Sequence, residues 1–324
     1  MNVPTDMYYA GGLRRKMPGM DDFQEEYKMS KKIRVLMLML CLVLGTAMMG
    51  GCGAKDGDDA GNSGSDNGTA DNQYVSVDVT IEEQILYNAN GIVVTAKEYV
   101  KEATLGEGIK LLVENNSDKN VTVGCKSIIV NDYMVSNLFL QEVKAGEKKE
   151  KAVFLSEAEL RAVGIDNIGK VEFYLLANET ESNNPIGEVE YATVNTSKAT
   201  EADKAEPIEA VELYNADGIK VSGKIMKDDS FWGTSVLFYS ENTGDKNIGF
   251  AVEEMHLNGN LVRQYFSSAV YSGKVSMDEI PLHKDDLKEN GITDIEKVQL
   301  KLYFYDEDTY EIIAKSDVIE LSAQ

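Results

Sequence analysis

The residue with the plainest chemistry in this chain is Cys52. It follows Met49-Gly50-Gly51, a ten-residue apolar run from Val35 to Leu44, and a basic flank with Lys31, Lys32 and Arg34. Basic flank, apolar run and small residues before a cleavage point form the grammar of an export signal. A cysteine directly after that point predicts diacylation of its thiol, so that Cys52 becomes residue one of a mature chain anchored by lipid. Met49, three positions before the cysteine, stands where leucine is usual. A spanning helix needs about 20 apolar residues, so the run suits a signal at 29–51 better than a membrane crossing. Residues 1–28 carry Asp21, Asp22, Glu25 and Glu26, unlike a basic n-region. Met29 opens Met-Ser-Lys-Lys-Ile-Arg, and translation is expected to start there, which makes 1–28 a mis-annotated extension.

Other reactive side chains are sparse. The only histidines are His256 and His283, with no HExxH pattern and no cysteine beside them, so a transition-metal site is not expected. A Ser-His-Asp triad would need one of them as base, and no Gly-x-Ser-x-Gly elbow presents a nucleophile. Of three cysteines, Cys41 leaves with the signal and Cys52 is acylated, which leaves Cys125 without an intramolecular disulfide partner. Cys125 alternates with Val121 and Val123 and reads as a small core hydrophobe. Carboxylates are so numerous that no glycosidase pair can be singled out. Asp306-Glu307-Asp308 with Glu311 is the densest acidic turn, where a calcium site is conceivable and a solvated hairpin tip is the preferred reading. The aspartates after Cys52 fail the EF-hand pattern, because Ala60 occupies a ligand position and no glutamate closes the loop. Neither a P-loop nor a dinucleotide fingerprint occurs, and alternating βα units are missing. The expectation is therefore no catalytic residue, no cofactor and no metal.

Between Cys52 and Tyr74 no apolar residue exceeds alanine in size. Such a stretch cannot bury enough surface to offset its ordering entropy, and 52–74 reads as a Gly/Asp/Ser/Asn tether spanning ~25 Å r.m.s.. The whole chain carries 32 Lys+Arg and 55 Asp+Glu; removing the 7 basic and 5 acidic residues of 1–51 leaves the mature chain at −25. That excess argues against nucleic acid as a partner, which needs a basic footprint, and against adhesion of the folded part to anionic lipid.

The elements that would position any site come from a duplication. Leu86-Tyr87-Asn88-Ala89-Asn90-Gly91-Ile92 returns 127 residues later as Leu213-Tyr214-Asn215-Ala216-Asp217-Gly218-Ile219. Glu114-Asn115-Asn116-Ser117-Asp118-Lys119-Asn120 returns at the same offset as Glu241-Asn242-Thr243-Gly244-Asp245-Lys246-Asn247, and Gly164-Ile165 as Gly291-Ile292. The repeats are placed at 75–197 and 208–324, with 198–207 as linker. Asn90-Gly91 and Asp217-Gly218 are type I′ hairpin signals. Val121, Val123 and Cys125, and their counterparts Ile248, Phe250 and Val252, occupy one face of a period-two strand. Ser156 and Glu159 form a capping box with Gly164 as a C′ residue, and the second copy keeps Leu287 and Gly291. Seven or eight strands per copy, with turns every 8–12 residues, predict an all-β fold of two tandem antiparallel sandwiches, each with one short helix.

The motifs LYNANGI, ENNSDKN and LSEAELRAVGI resemble the Ig-like β-sandwich domains of Gram-positive surface lipoproteins. The resemblance covers both repeats and implies a sandwich fold and a place at the cell surface; no family active site comes with it. The Cys…Trp…Cys core of antibody-type domains is absent.

Aromatic side chains are concentrated in the second copy, where Phe231, Trp232, Tyr239, Tyr271, Tyr303 and Tyr305 replace mostly non-aromatic residues of the first. Alternation puts Phe304 on one face of its strand and Tyr303 and Tyr305 on the other. An exposed Trp232/Tyr cluster would stack on a sugar or anchor a protein; packing against the first repeat or the core is the preferred reading. Together these features predict a non-catalytic, lipid-anchored protein on the outer face of the cytoplasmic membrane. Its ligand would be cell wall, glycan or protein. The alternative is an envelope hydrolase or a calcium-dependent carbohydrate-binding module, favoured if acidic and aromatic residues converge on a cleft between the repeats.

Overall fold

The structure is a computed structural model that describes residues 74–323, except 138, 263–265, 284–286 and 289–290. The expected extension, signal, Cys52 and all but the last residue of the tether lie outside the described residues.

The fold is all-β. In the first half the strands are β1 (Tyr74–Val75), β2 (Gln84–Ala89), β3 (Ile92–Glu102), β4 (Gly106–Asn115), β5 (Val121–Val130), β6 (Tyr133–Val135), β7 (Leu140–Val143) and β8 (Lys148–Phe154). Helix α1 (Glu157–Ala162) follows, then β9 (Lys170–Glu179) and β10 (Glu190–Asn195). The second half runs β11 (Val211–Ala216), β12 (Ile219–Asp229), β13 (Gly233–Asn242), β14 (Ile248–Leu257) and β15 (Asn260–Val262). It continues with β16 (Ser267–Val270), β17 (Val275–Pro281), β18 (Lys297–Asp306), β19 (Ile312–Lys315) and β20 (Ile319–Ser322).

Three sheets result. The first has the order β1-β3-β4-β8, with β2 also on β3; the second has nine strands, with the path β10-β9-β5-β6-β17-β13-β12-β11 and β7 on β5; the third has the path β15-β14-β18-β19, with β16 and β20 attached. The pairings recur at the sequence offset, bulges included. A register shift at Ile85/Tyr87 in the β2–β3 pair is matched at Glu212/Tyr214 in β11–β12. Another at Cys125/Ser127 in β5–β9 is matched at Val252/Glu254 in β14–β18.

Local chemistry explains these elements. Asn90 and Gly91 turn with φ of 49° and 85°, Asp217 and Gly218 with 52° and 81°, the positive-φ pair that a two-residue I′ hairpin requires. At the ENNSDKN turn, the Asn115 amide donates to the carbonyls of Lys119 (2.7 Å) and Val143 (3.0 Å) while its oxygen accepts from the Ser117 N–H. Asn242 repeats this with Lys246, Val270 and Gly244. The motif is therefore a buried bracket between two loops. Ser156 caps α1 by accepting from the Glu159 N–H. The helix closes with Ile165 N–H on Leu160 C=O and Gly164 N–H on Arg161 C=O, a Schellman end with Gly164 at φ 80°. The same two bonds link Ile292 to Leu287 and Gly291 to Lys288, where Leu287 and Lys288 are helical and several neighbours lie outside the described residues.

Two apolar cores form. One is filled by Val94, Ile109, Leu111, Val123, Ile128 and Phe173, among others, the second by residues such as Val236, Phe238, Phe250, Leu300 and Phe304. Each such side chain contributes about 1.5–3 kcal/mol relative to exposure. The first core extends past the linker, because Leu237, Tyr239 and Met277 from β13 and β17 belong to it. Consequently β13 is buried on both faces from Ser235 to Ser240, unlike the alternating β4. The expectation of antiparallel sheets with one wet face fails at this strand. It fails also at β6 and β17, which pair in parallel through Tyr133–Val275 and Met134–Ser276. The described residues accordingly belong to one compact unit.

Candidate functional site

The parallel β6–β17 contact creates the chain's most distinctive constellation. Asp132, in the positive-φ turn after β5, ends on the joint; its carbonyl accepts the Val275 N–H at 3.0 Å. The Lys274 ammonium lies 2.6 Å from Asp132 Oδ1 and 2.7 Å from Glu172 Oε2. Lys170 reaches the same Asp132 oxygen at 2.8 Å and Glu172 at 3.5 Å. Glu172 is 1% exposed and also accepts from Tyr191 Oη. Burial pushes the Asp132 carboxyl up, but its bonds to Lys170 and Lys274 outweigh this and leave it below the usual range. This alternating cluster of two cations and two anions satisfies charges that burial would otherwise penalise.

Beside it lies a cleft of about 260 Å³ whose walls include Lys126, Met134, Ser136, Tyr271, Asp278 and Glu307. Tyr271, 2% exposed, packs edge-on against Tyr174 at 4.8 Å between ring centroids, and its N–H donates to Met134 Sδ at 3.1 Å. Lys126 Nζ sits 5.8 Å above the Tyr271 ring and 3.7 Å from Asp308. Burial pushes the Tyr271 hydroxyl well above the ordinary tyrosine range, with Glu307 adding to the effect. The Asp278 carboxyl accepts from Ser276 Oγ at 2.8 Å and from Ser268. Burial raises it to about 6 against those two bonds, with a further push from the negative charge of Glu159.

Glu159, 3% exposed, is a buried carboxylate beside the cleft. Its side chain accepts from Tyr133 Oη (2.9 Å), Ser136 Oγ (2.6 Å) and the Ser136 N–H (3.1 Å). The expected capping box is thus only half formed. The Ser156 N–H turns to Asn137 Oδ1 at 3.3 Å, because Glu159 is drawn into the polar cluster under α1.

Tyr271 is the tyrosine in the cleft wall, and other tyrosines pair with one another on β9, β10 and β18 and in the turn after β18. Tyr191 and Tyr174 lie 5.0 Å apart, Tyr305 and Tyr310 6.1 Å, and Tyr303 and Tyr305 6.0 Å. Tyr305 also shares a hydrogen bond with Ser267 at 2.8 Å. Phe304 points the other way into the core, stacked on Tyr214 at 4.1 Å, as the alternation predicts. Trp232 packs against the first core at the tip of the β12–β13 hairpin, with Phe231 edge-on to it at 4.6 Å. That is the preferred packing reading.

The remaining candidates are scattered. Cys125 is half-buried against the first core, and burial pushes its thiol up to about 12, which makes it a poor nucleophile. His256 Nε2 faces Glu254 at 3.5 Å on β14, whereas the His283 carbonyl accepts the Leu287 N–H at the helix start. Asp306 is held to about 2 by Lys246 at 2.9 Å and by the N–H groups of Thr309 and Asp308. It is the hub of its own turn, and its oxygens are already engaged. Among the described residues, no three His, Cys, Asp or Glu side chains gather as a metal site.

Sequence reasoning missed Lys274, Asp278 and Glu172. A signal existed in the divergence of the copies: Lys274 and Asp278 stand where the first copy has Glu147 and Lys151.

No protein-family model matches the chain. No curated protein matches it either. Among solved structures, the crystal structure of red sea bream transglutaminase aligns with 75% of this chain and 31% of its own length, at 9% identity and a TM-score of 0.19. A likeness that slight carries no argument about fold or activity.

Proposed function

We propose that this is a lipid-anchored extracytoplasmic protein of two Ig-like sandwiches, resembling Gram-positive surface lipoproteins, that serves as a non-catalytic binding module. Cys52 would carry the diacylglyceryl anchor, and 52–74 would hold the folded part away from the membrane. The recurrence of strand pairings and bulges at one offset supports the tandem reading. The observation that carries the binding reading is the cleft beside β6 and β17. There four serine hydroxyls, a lysine, an amide, two carboxylates, two thioethers and one ring come from both repeats, and polar groups converging beside an apolar wall are what recognition sites use. Asp278 is held by two serines, which suits it to orient a polar or cationic group. Nucleic acid remains disfavoured by the net charge.

Two experiments test this. Cys52→Ala should move the protein from the membrane fraction to the medium and abolish incorporation of labelled fatty acid; retention in the membrane would sink the anchoring. A thermal-shift panel of cell-wall fragments, glycans, short peptides and calcium should yield one stabilising ligand, since binding to the folded state raises apparent stability by about 2.7 kcal/mol at 100-fold over Kd. Ala269→Phe, which fills the cleft, should abolish that shift. No shift with any ligand class would remove the binding reading.

One observation favours the hydrolase alternative: a carboxyl raised to about 6 in a cleft with an aromatic wall matches a general acid. Release of fragments from cell-wall polymer, lost in Asp278→Asn, would decide for it.

A further inference from the structure

The β6–β17 joint is heterologous: one repeat contributes its β6-type edge and the other its β17-type edge. Each repeat carries both kinds. The counterpart of β6 in the second repeat is β15, and the counterpart of β17 in the first is β8, at the 127-residue offset. Among the described residues, β15 pairs only with β14 and β8 only with β4. The chain therefore ends in the two complementary halves of a contact it already makes once internally.

The β15 side has the form of an acceptor. A cleft of about 380 Å³ lies there, lined by Glu254, His256, Gly259, Gln299, Lys301 and Val318. Gly259, Gln299 and Lys301 are the counterparts of Asp132, Glu172 and Tyr174, which hold the internal joint. Leu261, the counterpart of Met134, is 59% exposed.

We propose that this edge receives β8 of a second copy of the chain, head to tail, in the register of the internal joint. Lys148 then pairs with Asn260 and Lys149 with Leu261, as Val275 and Ser276 pair with Tyr133 and Met134. Two charged positions fit with sign exchanged, while the carboxylates Asp132 and Glu172 are replaced by the neutral Gly259 and Gln299. Internally, Lys274 meets Asp132 and Glu172. Between copies the same place holds Glu147 against Gln299 and Lys297. Where Lys126 lies over Tyr271, Glu253 would face Lys144. Segment 144–151 carries four lysines and two glutamates, while Glu253, Glu254 and Glu320 lie on or beside the acceptor strands. One position opposes the contact: Lys301 and Lys144 replace Tyr174 and Tyr271.

The contact between copies is more polar than the internal one, because Lys110 and Glu150 replace Leu237 and Met277. It is accordingly weak and salt-sensitive, and crowding on a surface favours it. A heterologous contact of this kind builds an open row or a closed ring according to its rotation.

The test uses the full chain in membranes, with its native cysteines kept as background. Leu261→Cys and Lys149→Cys are made singly and together and exposed to mild oxidation. The double variant should give a ladder of dimer, trimer and higher species. The two single variants should give a dimer only when co-expressed, and neither alone should exceed the unsubstituted chain. A double variant that folds but gives no ladder overturns the proposal, as does a dimer from Leu261→Cys alone. Sedimentation of the unsubstituted chain decides independently of how the variants fold. Its mass should rise with concentration at about 0.15 M salt, where a Debye length of about 8 Å screens the overall repulsion between acidic chains more than the close pairs, and return to monomer at about 1 M salt, where that length is about 3 Å. A monomer at every concentration overturns the proposal.

Discussion

At the scale of single residues, the two bracket asparagines do the same work in different places. Asn115 and Asn242 are each 1% exposed and each satisfy two carbonyls and one N–H. Truncation to alanine strands those carbonyls, at a cost of about 1–3 kcal/mol each. Denaturant unfolding should give similar losses for Asn115→Ala and Asn242→Ala, and a near-additive double variant, because they serve separate turns. Asp278 offers a sharper measurement. Below pH 3.8 folded and unfolded chains both hold its proton, and burial costs nothing through this group. Between 3.8 and about 6 only the folded chain holds it, so stability falls as pH rises across that window and is level above it. The total is about 3 kcal/mol at 1.36 kcal/mol per unit. Glu159, Ser268, Ser276 and Tyr133 face the site unchanged in Asp278→Asn. The stability of that variant relative to the native chain should therefore grow by up to this amount between pH 4 and pH 7.5. A pH-independent difference would show that Asp278 titrates normally. Asp306 acts with opposite sign: the stability it confers is present above pH 3.8 and is lost as pH falls toward about 2.

At the scale of elements, strand and turn chemistry is strongly local. Gly249 in β14 is a case in which a neighbour dictates the residue. A Cβ there would fall 2.2 Å from the Tyr305 ring, which lies across the strand. Gly249→Ala should therefore displace Tyr305 and break its bond to Ser267, at a cost of about 1–3 kcal/mol. Chemical denaturation would measure the loss, and tyrosine fluorescence the movement of the ring; an unchanged midpoint would refute the packing. The hairpin turns, the Schellman end after α1 and the Phe304/Tyr305 alternation were all legible beforehand, because each depends on residues within a few positions of one another. The half-formed capping box was not legible. Glu159 has two competing partners in Tyr133 and Ser136, 26 and 23 residues away.

At the scale of the whole molecule, one lysine ties the repeats together. Lys274→Ala leaves the buried Glu172 with Lys170 at 3.5 Å and Tyr191. Removing one partner of a buried pair costs about 3–5 kcal/mol, and Lys170 should keep the loss near the lower figure. Because the lost contact joins the repeats, calorimetry should show the single unfolding transition broaden or divide. Lys274→Arg should restore most of the loss. A uniform drop in a still-single transition would mean that Leu237, Tyr239 and Met277 hold the repeats without it.

The sequence by itself determined what repeats: the 127-residue offset, the β-character of both copies, their turns and the alternation of core residues. These follow from backbone geometry and side-chain periodicity within each strand, where every signal is read from near neighbours. Only the tertiary structure decided how the copies meet. Lys274 lies 142 residues from Asp132 and 102 from Glu172, and the parallel pairing between β6 and β17 spans two residues in each strand, too few to leave a periodic trace. The joint arises where the copies differ, at Lys274, Met277 and Asp278 against Glu147, Glu150 and Lys151. A difference between copies acquires meaning only when the residues it faces are known.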